Sequence, residues 1–394
     1  MSRRRRNNLT PGLPVQRPGL FLALAATAAI AVHLAQQDGK MLALFGVGLG
    51  LGLALYHAAF GFTAAYRNAL VHGDISGVVA QLIMLGVAMV LFAPVLANGQ
   101  VFGHGVAGAV APVSLSMALG ALVFGVGMQM AGGCGSGTLF TVGGGNLRML
   151  VVLVFFCLGG FWGSLDLQMW QRLPGIGAVS LGRELGWGWA LALQLALLIA
   201  IYLGLRRIAG TRTLPLWPAE GFGFHRLLRG PWPLLFSAVL LAFLNWLTLL
   251  IAGHPWSVTW AFALWAAKAA TLVGWDPHSS GFWTGGFQER ALTQSVFDDV
   301  TSVMNFAIML GALLAASLAG KLAPSARMPL RSLLAAIIGG LMLGYGARLA
   351  YGCNIGAFFS GTASTSLHGW VWIVCAVIGN MAGVRLRPVF HLQN

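Results

Sequence analysis

The sequence predicts an all-α polytopic membrane protein built from two homologous repeats, with re-entrant short helices that enter the membrane and turn back. Three observations carry that prediction. Hydrophobic residues make up 58% of the chain and charged residues only 8%, against about 25% charged in a soluble domain. Apolar segments of about 20 residues, the length that spans a bilayer, recur along the whole chain. Two glycine-rich stretches, GALVFGVGMQMAGGCGSGTLFTVGGG and GGLMLGYGARLAYGCNIGAFFSGTASTS, match at one fixed spacing.

Cys353 stands 219 residues after Cys134. At the same interval Gly339 follows Gly120, Gly344 follows Gly125, Gly346 follows Gly127, Gly352 follows Gly133, Gly356 follows Gly137 and Gly379 follows Gly160. A register held over about forty positions is an internal duplication.

Taken in order, residues 1–18 form a basic tail with Arg3 to Arg6, Arg17 and three prolines. It reads as non-helical and lacks the small-residue cleavage site of a signal peptide. Apolar segments follow at 19–36, 41–60, 75–97, 113–133, 147–165, 188–209, 231–252, 256–275, 300–320, 331–352 and 369–388. Of these eleven candidates, nine to eleven are expected to span. The first repeat is placed at 19–172 and the second at 231–391. A connector helix and a basic loop, 173–230, join them, the loop carrying Arg206, Arg207, Arg212, Arg226 and Arg229.

Two pieces are too polar and glycine-rich for plain helix: YHAAFGFTAAYR at 56–67 and the run 275–299. Irregular backbone at membrane depth persists only where it is buried in protein or lines a wet cavity. Broken helices in matching places of two repeats point to a transport site.

Loop charges bear on the direction of the repeats. The loop 98–112 has no Lys or Arg, whereas its counterpart 317–331 has Lys321, Arg327 and Arg331, which favours inversion. The basic tail and the basic loop both precede equivalent segments, which favours parallel repeats. Inverted repeats are the expectation taken forward. The excess of 23 Lys+Arg over 9 Asp+Glu lies between apolar spans, so it reads as membrane topology rather than nucleic-acid binding.

Four cysteines without a CxxC argue against a disulfide framework or a zinc ribbon. The scattered histidines lack ligand spacing, so no metal site is expected, and no cofactor motif stands out. Cys134 and Cys353 are the leading candidates. Gly133 and Gly135 flank the first, and Gly352 and Asn354 the second. The segments after them, SGTLF and IGAFF, would aim backbone N–H groups at the thiols, and helix starts of that kind attract anions. Cys157 and Cys375 lie mid-helix and out of register, and read as packing.

Arg348 precedes Cys353 by five residues, and its repeat partner is the neutral Gln129. A charge at mid-bilayer costs about 2.5–3.5 kcal/mol on insertion scales, so it faces a cavity or partner unless it snorkels to the interface. Lys268, in ALWAAKAATLVGW, poses the same question. Tyr345, Tyr351, Ser360, Thr362 and Ser364 add hydroxyls near the second break. Asp298 and Asp299 read as a helix cap.

These motifs, together with WDPHSSGFW, SVMNFAIMLGALLAA, GYGARLAYGCNIGAFFSGTASTSLHGWVW and GNLR, resemble the YeeE/YedE family of bacterial inner-membrane sulfur transporters. The resemblance covers nearly all of the chain beyond residue 40. It implies a two-repeat bundle with short helices dipping in from both faces. It also implies uptake of thiosulfate or a related sulfur anion, passed along a row of cysteines that Cys134 and Cys353 match. One position departs: many relatives read like RxxFCFTAAxR where this chain has HAAFGFTAAYR, so Gly61 stands in place of that cysteine.

The leading expectation is therefore a non-enzymatic transporter of a small sulfur-containing anion in the bacterial inner membrane. Substrate would be held by Cys134, Cys353, Arg348, Gly133, Gly135, Gly352, Asn354 and Lys268. Two alternatives stay open on the residues alone. One is a membrane enzyme handling thiols or persulfides. The other is a membrane subunit that binds a cytoplasmic sulfur-carrier protein through the loop 206–230.

Overall fold

The computed structural model describes residues 13–208, 211–217, 222–322 and 328–393. Arg3 to Arg6 and Arg327 therefore lie outside the described residues. Fourteen helices matter for function. The first half holds α1 (Arg17–Gln37), α2 (Gly39–His57), α3 (Phe62–His72), α4 (Ser76–Asn98), α5 (Leu115–Ala131), α6 (Gly135–Gly143) and α7 (Leu147–Leu165). The second holds α8 (Trp187–Arg207), α9 (Leu234–Ala252), α10 (Thr259–Leu272), α11 (Gly286–Thr293), α12 (Val300–Ala319), α13 (Leu330–Leu349) and α14 (Leu367–Leu386). Between α13 and α14 the residues Asn354–Ser360 wind as a π-helical turn. Among the described residues strand is confined to two small antiparallel pairs, Gln100–Val101 with His104–Gly105 and Pro112–Ser114 with Gly175–Ala178.

Ten helices among the described residues are long and apolar enough to cross a membrane. The segment expected to span at 256–275 is not one of them: α10 has only 14 residues. Hydropathy alone cannot separate a buried helix from a spanning one, and α10 is buried along Ala261–Leu264, Ala266 and Ala267. With α3, α6 and the π-helical turn it forms a set of short interior helices.

The duplication folds as an inverted pair. A Cβ on Gly120 would press on Gly346 and Leu349, and a Cβ on Gly127 on Gly339 and Leu343. Gly339 is the repeat partner of Gly120, and Gly346 that of Gly127. The contact is thus reciprocal, as across a two-fold axis, and α5 and α13 run antiparallel. Small residues let backbones approach this closely in lipid, where packing drives association.

The remaining contacts obey the same symmetry. α5 lies on α14 as α13 lies on α7. α3 packs against α4, α5 and α14, and α10 against α12, α13 and α7. α2 packs on α12 as α9 packs on α4, and α1 on α12 as α8 on α4. By these contacts α8, read as a connector, occupies the place of α1. The constant sequence interval holds only from α5 and α13 onward. Upstream, the extra stretch after α10, which carries α11, shifts the register. A smaller slip occurs in the last helix, where Gly159 packs on Leu341 as Gly379 packs on Leu122.

One face of the bundle collects basic residues. Arg148 reaches the carbonyls of Met130 and Ala131 at the end of α5. Arg387 reaches Gln129 O, Arg331 meets His391, and Lys321 and Arg229 line one cavity with His57. Asp299 caps α12 as expected, accepting from Ser302 N–H at 2.7 Å.

Candidate substrate passage

The site is built by four breaks that meet inside the bundle. α5 ends at Gly132, whose φ of +82° is the left-handed cap that glycine adopts freely. Its partner in the second half is Tyr351, also left-handed at φ +58°, a conformation that costs a tyrosine more. The chain then turns back. Cys134 becomes the first residue before α6 at φ −99° and ψ −168°, and Cys353 the first before the π-helical turn at φ −106° and ψ −167°. The two cysteines thus share one backbone conformation. Gly352, at φ +145° with the Ala357 amide 2.8 Å from where a Cβ would sit, has no room for a side chain.

The two halves bring the thiols together. A Cβ on Gly135 would lie 3.0 Å from Cys353 Sγ and 3.4 Å from Val258, which precedes α10. Because Gly135 follows Cys134 directly, chain geometry keeps the two sulfurs within about 11 Å at most. Both thiols are free and buried, at 1% and 0% exposure, so bulk water does not reach them.

Backbone donors surround each sulfur. Ile355 N–H donates to Cys353 Sγ at 3.4 Å, with the Gly356 amide also directed at it. The amides of Gly137 and of Phe62, the first residue of α3, are directed at Cys134 Sγ, and Ser136 Oγ lies 3.6 Å from it. The starts of α3, α6, α10 and the π-helical turn therefore face one small volume. Their dipoles favour negative charge there.

A cavity opens on each side of this constriction. One of about 220 Å³ is lined by Ser257, Thr259, Trp260, Arg348, Tyr351 and Gly352. The other, about 290 Å³ on the basic face, is lined by Phe60, Gly61, Asn68 and Asp74 among others. Gly352 adjoins Cys353, and Phe60 and Gly61 adjoin the Phe62 amide, so the thiols lie between the cavities.

Of the sequence candidates, Cys134, Cys353, Gly133, Gly135, Gly352 and Asn354 come together at the break. Asn354 is fully buried, donates to Tyr66 OH at 3.3 Å and leaves its Oδ1 unpaired. Arg348 lies one cavity away, its guanidinium carbon 4.8 Å from the centroid of Phe282. Lys268 is elsewhere. Nine residues beyond the start of α10, its Nζ donates to the carbonyls of Leu292 and Gln294 at 2.7 and 2.5 Å and holds the end of α11. The apolar surroundings that made it resemble Arg348 belong to a surface-proximal helix end.

The candidate hydroxyls are mostly structural. Ser360 joins Asn245 to Trp256 O, Thr362 bonds back to Phe358 O, and Tyr345 OH links Trp170 to Asp166. Sequence reasoning missed Tyr66, Ser257, Trp260 and the Phe62 amide. Phe62 and Tyr66 are four apart on α3, the spacing that sets two side chains on one face, and that signal was available.

Comparisons with known proteins identify the family. The family described as Sulphur transport matches residues 57–382. The chain is 35% identical over 147 residues to the probable transporter YedE of Escherichia coli (strain K12), a match covering 36% of this chain and 35% of that protein. The YedE of Salmonella typhimurium is similar at 33% over the same length. The thiosulfate transporter TsuA of Spirochaeta thermophila is 26% identical over 373 residues, covering 86% of this chain and 98% of that protein. The match thus spans about a third of the YedE proteins but nearly all of TsuA. With most of its length matched from the first broken helix to the last span, the chain belongs to the Sulphur transport family.

Proposed function

We propose that the protein takes up a small sulfur-containing anion, most closely thiosulfate, through the constriction at Cys353 and Cys134. The observation that carries this reading is the convergence of two buried free thiols with four helix starts between two cavities. A dianion leaving water needs its charge met by fixed dipoles, and the amides around each thiol supply them. A thiol is a weak hydrogen-bond donor, suited to hold a soft terminal sulfur loosely. Loose holding at successive sites is what conduction needs. Cys353 would receive the anion from the Arg348 side and Cys134 would pass it toward Gly61. Gly133, Gly135 and Gly352 keep both approaches free of side chains, and Asn354 supplies an amide beside the transfer point.

The orientation follows from charge. Arg148, Arg229, Lys321, Arg331 and Arg387 share one face, and the positive-inside rule makes that face cytoplasmic. Arg348 opens toward the other. In a bacterial inner membrane, uptake through a passage so oriented would deliver the anion where a cytoplasmic sulfur carrier could collect it. The TsuA resemblance over 86% of the chain favours thiosulfate, with two cysteines serving where many relatives have a third at the place of Gly61.

The test is uptake of radiolabelled thiosulfate into proteoliposomes, with sulfate and selenite as competitors. Saturable accumulation is expected. Accumulation no greater than in empty liposomes would refute the proposal.

A further inference from the structure

We propose that the cavity at Arg348 is a separate binding station for the oxyanion end of the substrate, occupied before the thiols are reached and independent of them. This rests on the reading of the chain as a small-anion transporter. Arg348 lies in the last turn of α13, and its Nε is buried without a hydrogen-bond partner. Among the described residues it forms no ion pair. The carboxylates on this side are engaged elsewhere: Asp166 accepts from Tyr345 OH, and Asp299 from Trp260 Nε1 and Ser302.

The guanidinium instead lies against the Phe282 ring. That cation–π contact offsets part of the cost of a charge at membrane depth but uses none of the N–H donors. Other basic groups of the bundle behave differently. Arg148 donates to Ala131 and Met130, Arg387 to Gln129 and Lys268 to Leu292 and Gln294, all through carbonyl oxygens. Those contacts hold helix ends. Arg348 holds none, and it lines a void of about 220 Å³.

The lining fits a tetrahedral sulfur oxyanion. Ser257, Thr259 and Tyr351 bring hydroxyls, Trp260 and Gly352 close the walls, and no carboxylate lines the cavity. The planar guanidinium fork matches a pair of oxygens on such an anion. With its oxygens on Arg348, thiosulfate would present its terminal sulfur toward Gly352 and the adjoining Cys353. Sulfate carries the same oxygens and no soft sulfur. The station therefore takes both anions, and discrimination falls to the thiols. There is one station, not two, because the symmetry partner Gln129 donates to Asn380 Oδ1 and Thr63 O inside the bundle.

The experiment titrates sodium thiosulfate and sodium sulfate into the purified full chain by calorimetry, with sodium gluconate fixing ionic strength. Wild type, Arg348→Gln, Arg348→Lys and the double variant Cys134→Ser/Cys353→Ser are compared. Sulfate, which has no soft sulfur for the thiols to hold, is expected to bind the double variant within about threefold of wild type. Arg348→Gln should weaken both by about tenfold or more, the scale of a lost charge-assisted hydrogen bond, and Arg348→Lys by less. Sulfate affinity unchanged in Arg348→Gln, or abolished in the cysteine variant with Arg348 intact, overturns the station. A second measurement needs no variant: phenylglyoxal modification of Arg348, followed by mass spectrometry, should slow several-fold with either anion. An unchanged rate overturns it equally. Absence of uptake with these binding results intact would count against the transport reading and leave the station standing.

Discussion

Gln129 and Arg348 stand at equivalent points of the two inverted halves, Gln129 backed by Gly383 and Arg348 by Gly163. Their environments are not equivalent. Gln129 is fully buried and bonded to Asn380 and Thr63, whereas Arg348 has an unpartnered Nε beside a cavity. The passage is therefore symmetric in backbone and lopsided in charge, with its cation on the side away from the basic face.

The first prediction separates the cysteines. Cys157 and Cys375 are half-buried in regular helix and touch neither cavity. Cys157→Ala and Cys375→Ala should leave thiosulfate uptake within about twofold of wild type at matched protein level. A loss from Cys375→Ala as deep as that from Cys353→Ala would show that the roles are misassigned.

The second concerns the close packing of α13 on α7 and of α5 on α14. A Cβ on Gly344 would overlap Phe156 O and the Gly160 amide, and one on Gly125 would overlap Ala376 O. Backbone cannot give way as a flexible side chain can. Either change to alanine should destabilise the protein by about 1–3 kcal/mol or more, read as a lower midpoint in a thermal fluorescence assay. Gly46→Ala, with nothing near the added methyl, should not move the midpoint.

The third uses Lys268. It anchors two carbonyls at the end of α11 and lines neither cavity. Lys268→Gln should keep the apparent affinity for thiosulfate within about twofold. A fall comparable with that of Arg348→Gln would place Lys268 on the anion path.

Much of this architecture was legible in the sequence because the duplication repeats the residues that pack. Gly120, Gly127, Gly339 and Gly346 recur for the contact they make with one another, and Cys134 and Cys353 share one backbone conformation. What was not legible depends on depth. α10 has the composition of a span but too few residues, and only its burial shows that it stays inside. Lys268 and Arg348 have similar apolar neighbours in the chain, yet one ends on carbonyls and the other on a void. The Asn354–Tyr66 bond joins residues 288 apart in sequence, which no local pattern announces.

Gly61 offers a fourth prediction. Relatives are expected to have cysteine here, and a Cβ would meet only Ala59 O at 3.9 Å, at an ordinary extended backbone φ of −120°. Gly61→Cys should therefore fold as wild type and carry a thiol in the cavity on the basic face. It should react with a small maleimide far faster than Cys134 or Cys353, and uptake should be kept or raised. A Gly61→Cys protein that folds but resists the reagent would contradict the position assigned to that cavity.

The central claim is that Cys134 and Cys353 lie on one path. The most direct measurement is the initial rate of radiolabelled thiosulfate uptake by Cys134→Ala, Cys353→Ala and the double variant in proteoliposomes, at equal reconstituted protein. If the thiols act in series, either single change should bring the rate close to that of the double variant, near background. A single variant that retains the wild-type rate would contradict the account, because one thiol would then be off the path.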